Sequence, residues 1–303
     1  MKHISAIAKT AMPDLWQPET ADAVELAFLA RQLVQITLPH TDPGDVPLWT
    51  RRNGNLTLVM TRSNVDSDGT TLIGYPYGTL PRLLLYWINS EAVRTKSPRL
   101  ELGANLSRFM TEVGLNPRNG RGERSDARRL QNQMNRLFSA SIRFVEIGEL
   151  ADGKMRRRDS AGPIVDSSEL WWDPANPRQG YLWNSWIELR EKFFKDITAV
   201  PVPLNMKALK ALKRSPLALD LYAWMSYRSW NATRLNKPQA LSWESLQAQL
   251  GSDYGDLDDF RTKVKRVMLK VIDLQPEFRI SLSPSSIQIR PCQNIIEAKG
   301  TTV

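Results

Sequence analysis

Residues 118–141 read RNGRGERSDARRLQNQMNRLFSAS, and arginine and amide side chains recur through them at helical spacing. At about 100° per residue, Leu130, Met134, Leu137 and Phe138 share one helix face, while Arg128, Arg129, Asn132, Asn135 and Arg136 gather on the other. The apolar seam is what a packed helix buries. The opposite face carries the chemistry: arginine can donate two parallel hydrogen bonds to a guanine edge, and asparagine can pair with an adenine edge, in a major groove that a helix fits. A merely solvated helix would use the same residue types, so the surrounding elements have to decide.

A second group of cations follows, with Lys154, Arg156, Arg157 and Arg158 between Gly153 and Gly162. SIRFVEIGEL reads as a strand, ADGKMRRRDSAG as a loop, PIVDSSELWW as a return strand and GYLWNSWIEL as an extension of the same sheet. Upstream lie a largely apolar helix, RLLLYWINSEAVRT, a short extended RLELG, and a helix LSRFMTEVGL for which Asn105 is placed as the cap. Three helices and then a hairpin with a basic tip is the order of a winged helix. That fold places its third helix in the major groove and its hairpin across phosphates or the minor groove.

The order recurs with different residues. SPLALDLYAWMSYRSW reads as a helix, LSWESLQAQLG as a capped helix, DLDDFRTKVKRVMLKVIDL as a long amphipathic helix and EFRISLSPSSIQIRP as a hairpin. On the long helix Phe260, Val264, Val267, Met268 and Val271 share a face opposite Thr262, Lys265 and Arg266. The expected fold is therefore α+β, with two tandem winged-helix domains and an N-terminal helical extension. The expected boundaries are 1–45 for the extension and linker, 46–202 and 203–293 for the two domains, and 294–303 for a tail. Residues 20–38 read as the helix of the extension, with Leu26, Leu29, Leu33 and Ile36 on one seam. LWTRRNGNLTLVMTR reads as a hairpin in which Asn53 and Gly54 supply two positive-φ turn positions.

Bulk properties agree with a polyanion partner. The 303 residues are 42% hydrophobic and hold 41 Lys plus Arg against 32 Asp plus Glu, a net charge of +9. Residues 1–44 carry −2 and residues 118–158 carry +6, so the basic character is local. A lone Cys292 points to a reducing compartment, and no apolar run approaches the eighteen or so residues of a membrane span, so a cytoplasmic protein is expected. Of the ten Trp, those at 87, 183, 186 and 224 lie in apolar patterns and read as core. The two histidines, His3 and His40, lie outside the basic segments, and no P-loop stretch occurs. The carboxylates of GDLDD suit a helix N-terminus. No catalytic residue, metal site, cofactor or small-molecule substrate is expected, and the chain reads as a non-enzyme.

LPRLLLYWINSEAVRTKSPRLELGANLSRFMTEVGL, followed by QNQMNRLFSASI, resembles the plasmid-encoded replication initiator family RepA, of broad-host-range theta-replicating plasmids. The likeness runs in order over roughly residues 75–290. It implies binding to repeated origin sequences (iterons) in double-stranded DNA, melting of an adjacent AT-rich stretch, recruitment of the host initiator and replicative helicase, and a homodimer able to repress its own promoter. The competing reading is a winged-helix transcriptional regulator without initiator activity.

Overall fold

The structure, a computed structural model, describes residues 25–62, 73–103, 105–119, 125–149, 153–170, 185–251 and 254–292. Residues 20–24, Trp183 and the tail at 294–303 lie outside them. The described chain begins with β1 (Leu26–Ala30) and α1 (Arg31–Gln35). This corrects the helix expected over 20–38. The run LAFLA is apolar enough to be covered on both sides, and it pairs antiparallel with residues 201–205. Its amides at Phe28 and Ala30 also donate to Ser90 Oγ (2.9 Å) and Asn89 Oδ1 (3.0 Å). Long-range partners for the backbone therefore override the local helical period.

β2 (Trp49–Asn53) and β3 (Leu56–Arg62) form the expected hairpin, with a different turn. Asn53 closes the ladder opposite Leu56, so Gly54 and Asn55 are the loop. Only Gly54 has positive φ, at 54°, which is the type II′ arrangement. Next come α2 (Thr79–Thr95), β4 (Arg99–Glu101), α3 (Leu106–Glu112) and α4 (Asp126–Ser139). Asn105 caps α3 by accepting from Arg108 N at 2.9 Å, and Ser125 caps α4 by accepting from Arg128 N at 3.3 Å. α2 is apolar nearly all round, and β1, α4 and a later helix surround it.

β5 (Ala140–Glu149) runs antiparallel to β6 (Met155–Pro163), from Ser141 opposite Pro163 out to Glu149 opposite Met155. Lys154 precedes β6, and Arg156, Arg157 and Arg158 lie along it, where the sequence suggested a loop. The ladder hydrogen bonds to β5 outweigh the weak strand preference of Arg and Asp, and a charged strand is well suited to a sheet edge. β7 (Val165–Glu169), β8 (Trp186–Leu189), α5 (Glu191–Ala199), β9 (Pro201–Asn205) and α6 (Met206–Leu212) lead to α7 (Pro216–Arg234). β10 (Gln239–Ser242), α8 (Trp243–Leu250), α9 (Leu257–Leu274), β11 (Arg279–Leu282) and β12 (Ser286–Arg290) complete the described chain.

The strands pair as β2-β3-β5-β6, β4-β8-β7, β10-β12-β11 and β1-β9, antiparallel throughout. β8 therefore does not extend the hairpin sheet as expected; it lies between β4 and β7. The fold is mixed α/β. The series α2, β4, α3, α4, β5–β6 is matched later by α7, β10, α8, α9, β11–β12.

One buried apolar cluster runs from β1 to β12, and polar clamps cross it. Arg82 on α2 donates to both carboxylate oxygens of Asp220 on α7, at 2.7 and 2.8 Å, and also to the carbonyls of Leu38, Pro39 and Gly78. His40 bonds Asp220 at 2.9 Å. Arg51 on β2 reaches Thr37 O (2.7 Å), Leu38 O (3.0 Å) and Gly251 O (2.6 Å). At Gly251, φ is +48°, and an added Cβ would fall on that guanidinium, so a side chain here would strain the backbone and push the Arg51 clamp aside. The strap at 36–40 is thereby tied to both series of elements.

Candidate nucleic-acid interface

α4 forms because its apolar seam finds a core: Leu130, Met134 and Leu137 are buried and Phe138 packs beside them. Arg128, Arg129, Asn132 and Asn135 are left exposed on the far face. Arg129 lies 3.4 Å from Asp126, a first-turn acid that also accepts from Asn119 at 3.0 Å. Arg136 is placed differently. Its side chain is 18% exposed, donates to Asp42 (2.9 Å) and Tyr75 O (3.1 Å) and stacks over Tyr77. It braces the segment before α2. Between that segment and the exposed face of α4 is a cavity of about 240 Å³, lined by Tyr77, Thr79, Arg128, Arg129 and Asn132.

The β5–β6 hairpin supplies the second set of cations. Residues 153–159 are all exposed. Arg158 pairs with Glu146 across the ladder at 3.3 Å, an exposed contact of the kind worth about 0–1 kcal/mol. Exchanging Glu146 for a phosphate therefore costs Arg158 little. On the opposite face, hydrogen bonds from Arg143 outweigh slight desolvation and, with help from Arg157, hold the Asp159 carboxyl at about 2. That carboxylate stays ionised, and the three groups present a net single positive charge.

α9 is the counterpart of α4. Asp256 caps it, accepting from Asp259 N at 2.7 Å, with Asp258 and Asp259 in the first turn. Phe260, Val264, Met268 and Val271 are buried, Val267 is half-buried, and Thr262, Lys265 and Arg266 are exposed. Lys265 Nζ lies 5.9 Å from the centre of the Trp243 ring. Leu269, 66% exposed, shares the face of these three and was missed in the sequence because that face was read by charge alone. The Tyr77–Thr79 side of the cavity was missed too. Nothing in the local pattern there differs from an ordinary helix start. Trp87 and Trp224 are buried as expected, whereas Trp186 is half-buried beneath Arg99, 4.0 Å from its ring centre.

The family model described as plasmid encoded RepA protein matches residues 75–245, which span α2 to the start of α8. The chain belongs to the RepA family. Two crystal structures of domains 2 and 3 of RctB have the same fold, each with a TM-score of 0.50. One is 9% identical and aligns over 85% of this chain and 94% of its own. The other is 8% identical and aligns over 87% and 98%. A search of curated proteins finds no match. No described helix is long and apolar enough to cross a membrane.

Proposed function

We propose that this RepA-family chain is a plasmid replication initiator that binds repeated origin sequences in duplex DNA through two winged helices. α4 and α9 are the two groove readers and β5–β6 is the wing of the first. The observation that carries this reading is the repeated placement of an exposed cationic helix face. In both series it is the third helix, it sits opposite a buried seam, and a hairpin follows it. Arg128, Arg129, Asn132 and Asn135 contact base edges and nearby phosphates, Lys154 and Arg156–Arg158 contact phosphates, and Thr262, Lys265 and Arg266 serve the second site. Arg136 is left out of this set because its contacts are internal.

The activity is binding, not catalysis. Free energy for opening an adjacent AT-rich stretch would come from contacts made to distorted DNA, and two modules give more of them than one. Handover to the host initiator and replicative helicase, and a homodimer that represses the promoter, belong to the same proposal. The test is a nuclease footprint over the DNA flanking the gene. Regularly spaced protected repeats beside an AT-rich segment are the expected result; a single protected operator would instead identify a transcriptional regulator.

A further inference from the structure

The basic hairpin also carries two apolar side chains that the fold does not use. Ile147 is 45% exposed and Met155 is 67% exposed. β3 pairs with β5 only as far as Glu146, beyond which Ile147 N still donates to Asn55 O. Past that point the hairpin continues as a two-stranded ribbon. Ile147 stands opposite Arg157 and Glu149 opposite Met155, so Ile147 and Met155 are diagonal neighbours on one face. Such neighbours lie about 7–8 Å apart, within reach of long side chains. The buried residues Leu58, Met60 and Ile142 lie at the other end of the sheet and on its other face, so the pair adds nothing to the core.

We propose that Ile147 and Met155 form a wedge that enters the minor groove of bound duplex DNA and unstacks a base step. This rests on the DNA-binding reading above and gives the hairpin a second activity beyond phosphate contact. Cations outnumber the single carboxylate beside the pair: Lys154 and Arg156 flank Met155 in sequence, Arg157 faces Ile147, and Glu149 faces Met155. Among the described residues Arg156 makes no ion pair. A second copy of the chain docking here through the same face would bring these cations against their own kind, whereas a polyanion attracts them. Proteins that bend DNA through the minor groove insert Ile, Leu, Met or Phe between base steps while basic groups hold the flanking phosphates. The unbranched thioether of Met adapts to an irregular gap, and TA steps yield most readily.

The test uses the full chain and the duplex recovered from the footprint, with 2-aminopurine replacing adenine at TA steps beneath the hairpin. Unstacking relieves the quenching of this base, so wild type should raise its fluorescence on binding. An Ile147→Thr, Met155→Thr variant, which places a strand-favouring β-branched residue at both ladder positions, should still bind but lose the rise. An Arg156→Ala, Arg157→Ala variant should bind more weakly and with a shallower salt dependence. Should the arginine variant weaken while the threonine variant keeps the full rise, the wedge is wrong and the DNA reading stands. Unchanged affinity and salt dependence in the arginine variant would take the hairpin off the DNA and overturn the wedge while leaving α4 and α9 as readers; a wild type that binds no duplex would overturn the DNA reading itself. Absence of a rise in wild type at every TA step also overturns the wedge. So does a threonine variant that loses self-association in sedimentation while the rise persists, because the pair would then belong to a protein contact.

Discussion

Asp220 lies buried on α7 between Arg82 and His40. Burial pushes its carboxyl up, but the Arg82 charge and the hydrogen bonds from His40 and Arg82 outweigh burial and hold it at about 2. Burial is the largest influence on His40 and lowers it below 6.5 despite the bond to Asp220. Both groups are thus harder to protonate folded than unfolded, so acid favours the unfolded chain. Stability should be full above about pH 6.5 and fall as His40 takes a proton in the unfolded chain. It should fall again below the ordinary Asp value of 3.8 down to about 2. Denaturant midpoints measured across pH should show both steps, and His40→Gln should remove only the upper one. Identical profiles for the two proteins would detach His40 from this behaviour. At the interface, replacing Arg129 and Asn132 by Ala should cost about 1–3 kcal/mol for each base edge that either side chain grips through two hydrogen bonds. Discrimination should relax at one or two bases, with the fold intact because both side chains are exposed. Unchanged specificity across mutated sites would remove α4 from the groove. The seam of α4 was legible because it repeats within one helix. The internal role of Arg136 was not, since Asp42 and Tyr75 lie 94 and 61 residues away.

Whole elements were legible where a local signal dominates. The caps at Asn105 and Ser242 and the stop at Gly251 mark helix ends, because a side-chain oxygen or a positive φ acts within three or four residues. β1 and β6 were misread for one reason: each is a strand only because a distant partner completes its ladder. No period in LAFLA points to Pro201–Asn205, and the charges of MRRRDSAGP suggest a loop until β5 is beside them. The strand reading changes what the cations can do, since alternation puts Arg156 and Arg158 on one face and Arg157 on the other. Replacing all three by Ala should weaken specific and non-specific duplex binding alike and lower the salt slope by roughly 0.9 per phosphate that is no longer neutralised. Sequence preference should survive. A triple variant with unaltered affinity and salt slope would make the hairpin a solvated edge.

At the scale of the molecule, the repeated order of elements was legible, whereas its degree of integration was not. Sequence periodicity shows faces but not what they pack against, and the faces of α2 and α7 are spent partly on each other. Residues 203–293 carry a complete second series, yet excising them would strip most of β9 of the β1 ladder and leave Asp220 buried without Arg82 or His40. Removing one partner of a buried pair costs about 3–5 kcal/mol. The excised segment is therefore expected to be far less stable than the intact chain. The intact chain should unfold in one transition, with circular dichroism and tryptophan fluorescence changing together. Two resolved transitions would show that the clamps do not couple the series. Reversing Lys265 and Arg266 to Glu in the intact chain should then shorten the footprint to the part covered by α4 and its hairpin; a footprint of full length would assign α9 to packing alone. If α4 and α9 both read the duplex as proposed, the strap at 36–40, clamped to both series of elements, limits how far one can turn against the other to follow a groove that arrives out of phase, so the double helix must supply the missing rotation. Twist then becomes a variable of binding, and affinity for a closed circle should change with its superhelical density and relax to one value when a single strand is nicked.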